Sequence, residues 1–138
     1  MNDAELVGLW SDYGMYIGSM EGVDLVFMTD GVGRWVWSNP IASEQVLFRW
    51  SARDQRLEIS EQRSIHFHNM TDPPTVTEDH DRDDSIHASY HVGPGHDAVG
   101  DPVTLLKLDQ HIGYSGDRFA LIRRELELGD DPAGWTLR

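Results

Sequence analysis

Along most of the chain, apolar and polar residues alternate with a period of two, the signature of strands with one face turned to a core. Val23–Thr29 and Arg34–Ser38 read as two strands joined by a tight turn at Asp30-Gly31, with Gly33 just beyond. Glycine supplies the positive φ such turns need. Alternation places Trp35 and Trp37 on one face of the second strand and Arg34, Val36 and Ser38 on the other, and Asn39-Pro40 ends it. Glu44–Ala52 sets Val46, Phe48 and Trp50 against Gln45, Leu47, Arg49 and Ser51. Arg53-Asp54-Gln55 reads as a turn, Arg56–Ser60 as a strand with Leu57 and Ile59 inward, and Glu61-Gln62-Arg63 as another turn. Ser64–Asn69 then sets Ile65 and Phe67 against Ser64, His66 and His68.

Toward the N-terminus, Ala4–Trp10 is short and apolar, suited to a helical turn leading into a first strand; Ser11–Gly22 is glycine-rich and reads as an irregular loop. Met70–Asp84 breaks the alternation. Pro73-Pro74 and the run Glu78–Asp84 predict an exposed loop. Ser85–Val92 resumes the pattern, Gly93–Gly100 predicts a second loop, and Pro102–Asp109 and Arg118–Glu125 read as the last strands, separated by a turn region. From Gly129 the tail is polar, with Trp135 a candidate to dock. Eight or nine short strands with turn signals between them, and no long helix, predict an all-β, antiparallel, up-and-down barrel forming a single domain over residues 1–138. Closure removes the exposed sheet edges.

Composition narrows the chemistry. There are no cysteines, so disulfides, thiolate catalysis and cysteine-ligated metal centres are excluded. With 24 acidic against 11 basic residues the net charge is −13, which repels nucleic acid and anionic membrane and attracts basic surfaces. No apolar run approaches the ~20 residues of a membrane span. Met1–Glu5 lacks the basic-then-apolar order of a signal peptide, and together with the missing cysteines this predicts a cytoplasmic protein.

Three features resemble a small lipocalin-like barrel of the calycin type. Gly8-Leu9-Trp10 matches the Gly-x-Trp opening of a lipocalin's first strand; Asp30-Gly31-Val32-Gly33 sits at a hairpin as in lipocalin-like bacterial domains; and Arg123 or Arg124 is placed to stack over the tryptophan. The likeness covers residues 4–126 in overall pattern, without the Thr-Asp-Tyr motif of typical lipocalins. It implies a lipocalin-like fold, and it allows the isomerase or cyclase chemistry that some such barrels perform.

Two constellations carry candidate chemistry. Trp35, Trp37, Phe48, Trp50, Phe67 and Tyr90 lie on the more apolar faces of their strands. In an eight-stranded barrel they either line a ligand cavity or fill a packed core. His66 and His68, with His87 and His91 on a plausible neighbouring strand, have the two-apart spacing that turns imidazoles to one side, as a zinc, nickel or iron site requires. Alternation opposes them to Ile65, Phe67, Ile86 and Tyr90, which favours a polar outer face, so no metal or other cofactor is expected. The acidic run lacks the glycine and glutamate of a calcium loop. Nucleophile elbows, phosphate loops and dinucleotide fingerprints are missing from the sequence. Tyr13, Tyr16, Tyr90, Tyr114, Arg49 and the histidines are available as hydrogen-bond donors, and none is singled out as acid or base. The leading expectation is a barrel binding a small apolar or aromatic molecule. The alternatives are a cofactor-independent cyclase or isomerase on the same barrel, and an acidic inhibitor or immunity-type protein for a basic partner.

Overall fold

The computed structural model describes residues 3–16, 20–112 and 116–125. The expected tail from Gly129 with Trp135, and Tyr114, lie outside the described residues. Eight strands follow one another: β1 (Gly8–Ser11), β2 (Gly22–Phe27), β3 (Val32–Ser38), β4 (Ala42–Arg53), β5 (Arg56–His68), β6 (Thr75–His96), β7 (Pro102–Leu108) and β8 (Arg118–Arg123). Each is antiparallel to the next, and β8 pairs back onto β1 to close a barrel. No helix among the described residues is long and apolar enough to cross a membrane.

The β2–β3 hairpin forms where Asp-Gly predicts it. Gly31 adopts φ 85°, the Met28 N–H bonds Val32 O at 2.9 Å, and the Asp30 carboxylate accepts the Val32 N–H. Gly33 is required for a different reason: a Cβ there would meet the Val26 carbonyl and the Phe48 ring, so the strands approach closely only because it has no side chain. Inside, Phe27 packs edge-on to Trp50 at 4.9 Å and against Phe48 at 5.8 Å, geometry that aromatic pairs favour.

The base of the first strand is tied down by the N-terminal turn. Leu6 and Trp10 are fully buried, the Trp10 indole N–H donates to Leu6 O at 2.9 Å, and the Arg124 guanidinium lies over the Trp10 ring at 5.5 Å. The same arginine donates to the carbonyls of Glu5 and Val7. Tyr90, on β6, donates to Asp3. Burial, with Asp3 adding to it, pushes the Tyr90 phenol well above its ordinary value.

Three sequence expectations are corrected. Of the loop predicted over Gly93–Gly100, residues 93–96 continue β6 and pair with β7, Gly93 opposite Leu105 and His96 opposite Pro102. The polar stretch Glu61-Gln62-Arg63 is not a turn but a bulge inside one continuous strand, where Glu61 pairs with Asp84 and Arg63 with Asp81. Likewise most of Met70–Asp84 is strand: the loop shrinks to residues 69–74, and the acidic run pairs with β5, His66 opposite Glu78 and Ile65 opposite Asp79. A long partner strand overrides the weak strand preference of aspartate, and Arg63 answers Asp79 with a 2.6 Å ion pair that holds that carboxyl below its usual range.

Candidate ligand-binding site

The structure brings together four of the six aromatic residues expected to line a ligand site. Trp35, Phe48, Trp50 and Tyr90 belong to the main core and are no more than 5% exposed. Their polar edges are used internally: the Trp35 indole N–H donates to Glu61 Oε2 at 2.7 Å, and that of Trp50 to the carbonyls of Met28 and Val32. Phe67 is not with them. The β5 bulge reverses the alternation, so Phe67 packs with Leu47 and Ile65 in a separate cluster. Trp37 is half-buried, and it alone of the six lines the cleft at one end of the barrel.

That cleft measures about 390 Å³ and lies between the β1–β2 and β7–β8 connections. Val23 and Trp37, register partners on β2 and β3, form its apolar wall. Tyr16 and Arg118 stack across it at 5.7 Å, and His111 stands on the β7–β8 side. Asp12 anchors the floor. Its carboxylate accepts the Val23 N–H at 2.6 Å and the Gly116 N–H, and so joins the two connections. Burial pushes the Asp12 carboxyl above its ordinary value, Asp24 adds to the rise, and the backbone N–H groups of Val23, Gly116 and Asp12 itself pull against it.

No family model, curated protein or solved structure matches the chain. The geometry of the site therefore carries the functional reading.

Beyond Trp37 the interior becomes polar. Glu44, its register partner on β4, and Glu61 are buried carboxylates. Arg82 reaches Glu61 at 3.2 Å, Glu44 at 3.5 Å and Asp84 at 3.0 Å. His66 meets Glu44 at 2.9 Å and stacks on His80. The bulge explains this too: it turns His66 inward, contrary to the outer face that alternation suggests. The four histidines considered as a metal set are not gathered. His66 sits by Glu44, His68 accepts the Met70 N–H, His87 pairs with Glu58, and His91 lies opposite Lys107. Among the described residues no group of three or more histidine, aspartate or glutamate side chains has metal-site geometry.

Asp12 and Arg82 are the site residues that sequence reasoning missed. A lone aspartate in a glycine-rich loop and an arginine within an acidic run look solvated until their partners are known. The Asp12 shift has a testable consequence. The fold holds its proton more tightly than the unfolded chain, so the stability Asp12 contributes is full below the ordinary value of 3.8 and lost as pH rises through the raised one. The Asp12→Asn substitution keeps the acceptor and removes the buried charge. Thermal melts of Asp12→Asn are expected to exceed wild type at neutral pH, with the gain shrinking below about pH 4; a gain that grows on acidification contradicts the assignment.

Proposed function

We propose that the chain is a lipocalin-type barrel that binds a small aromatic or apolar molecule in the cleft beside Trp37. The observation that carries this reading is that Trp37 is half-buried on the wall of this cleft, whereas Trp35 and Trp50 are no more than 5% exposed and spend their indole N–H groups inside the fold. A flat ring would lie on the indole and the Val23 side chain, with Tyr16, His111 or Arg118 meeting a polar substituent. The lipocalin-type assignment is supported by Gly8-Leu9-Trp10 opening β1 with Arg124 seated on the indole.

A second reading is favoured by Asp12. A carboxyl with its proton affinity raised, in a cleft lined by aromatic side chains, suits proton transfer during a cyclisation or isomerisation. No cofactor is needed for either reading.

The binding reading is tested by fluorescence titration with the neutral probe N-phenyl-1-naphthylamine. Saturable single-site binding is expected, weakened about tenfold or more by Trp37→Ala and unchanged by Ile122→Ala, which alters an exposed position on β8. Absence of saturable binding, or binding indifferent to Trp37→Ala, overturns it.

A further inference from the structure

Closing the ring leaves part of β6 uncovered. On one side β6 pairs with β5, from Thr75 opposite His68 to Ser89 opposite Arg56. On the other side β7 reaches only Tyr90 to His96. Two further bonds brace that side just beyond β7: the Asp109 N–H donates to Ser89 O at 3.1 Å, and the Gln110 side-chain amide donates to His87 O. From Thr75 to Ile86 this second edge has no backbone hydrogen-bond partner among the described residues. Alternate N–H and C=O groups therefore face water along about 40 Å of strand, at roughly 3.4 Å per residue.

The side chains leave the edge open and give it one sign of charge. Every residue from Thr75 to Ser85 is exposed except Arg82, which is half-buried. The stretch carries Glu78, Asp79, Asp81, Asp83 and Asp84 against that one arginine, and Arg82 turns to Glu44 and Glu61 in the interior as well as to Asp84. Arg63 of β5 pairs with Asp79. Asp81 stands opposite Arg63 in the register without closing an ion pair to it, and Asp83 has no ion-pair partner among the described residues.

This charge decides what can pair there. A second copy of the chain laid along the same edge would set carboxylate beside carboxylate, which destabilises a strand pair. A strand with lysine or arginine at alternate positions meets the row with opposite charge, while its backbone takes up the free N–H and C=O groups. We propose that the open edge of β6 is a docking site for a protein that presents a basic extended segment, added to the sheet as a further strand beyond Thr75–Ile86.

The test is calorimetric titration of the full chain, at low salt, with a short end-blocked peptide in which lysine alternates with valine and threonine. Amide exchange is followed by NMR with and without the peptide. Saturable one-to-one binding is expected, with exchange slowed at alternate amides between Thr75 and Ile86. The same peptide N-methylated at every second residue keeps its charge and should not bind, and the peptide with glutamate in place of lysine should not bind either. The double variant Asp81→Asn/Asp83→Asn should weaken binding about fivefold with an unchanged melting temperature. The proposal is overturned by absence of saturable binding, by equal binding of the N-methylated peptide, which would make charge alone the attraction, or by slowed exchange confined to other strands. Protection of the β6 amides that rises with protein concentration in the absence of peptide also overturns it, because the occupant would then be a second copy of the chain.

Discussion

Replacing Arg82 with methionine is expected to lower stability by about 2–3 kcal/mol in urea unfolding at neutral pH. Glu44 and Glu61 are each 4% exposed, and Arg82 is the cation that reaches both. Removing it leaves two carboxylates in the interior with His66 beside one and the Trp35 N–H on the other. Removal of one partner from a fully buried pair costs about 3–5 kcal/mol. The lower figure applies because the Arg82 side chain is 26% exposed, which lets water answer part of the lost charge. Adding Glu61→Gln to the Arg82→Met background should recover part of the loss, since an amide needs no counter-charge and its oxygen still accepts the Trp35 N–H. Equal losses in the Arg82→Met single variant and in the double variant contradict the electrostatic explanation.

Trp10→Ala is expected to cost about 3–5 kcal/mol, read from the same unfolding experiment. The side chain is fully buried and touches the closure of the barrel on three sides. It packs in the main core, bonds Leu6 through its indole, and carries Arg124 on its outer face. The cation contributes the smaller share, about 0.5–1 kcal/mol at an exposed guanidinium, so Arg124→Ala should cost clearly less than Trp10→Ala. A Trp10→Ala loss no larger than that of Arg124→Ala would mean that the N-terminal turn does not seal the barrel through this residue.

The barrel was legible wherever a strand has one apolar face and one polar face. In β3 and β4, alternation alone separates Trp35 from Arg34 and Phe48 from Arg49. It failed where tertiary partners decide. Glu61-Gln62-Arg63 looks like a turn because its residues are polar, yet Glu61 is buried and its charge is answered by Arg82 from β6, which no local pattern shows. The acidic stretch Glu78–Asp84 has charge on both faces, so it has no apolar period to detect; β5 supplies the pairing. The site was half legible. Trp37 was among the six expected aromatics but looked like the others, because what distinguishes it is its place near the end of β3, beside the β1–β2 and β7–β8 connections. The bulge that sends Phe67 to the other face and His66 inward is invisible to a strict period of two. Asp12 was beyond reach of the sequence, since its burial depends on amides from Val23 and Gly116, distant along the chain.

The claim that the cleft beside Trp37 is where the barrel takes its ligand is tested most directly by residue-resolved amide and indole NMR during titration with N-phenyl-1-naphthylamine. The predicted result is saturable shifts at the Trp37 indole and at the amides of Gly22, Val23 and Gly116, with Ala52, Leu57 and Ala88 unmoved. Shifts confined to Ala52, Leu57 and Ala88, or none that saturate, would contradict it.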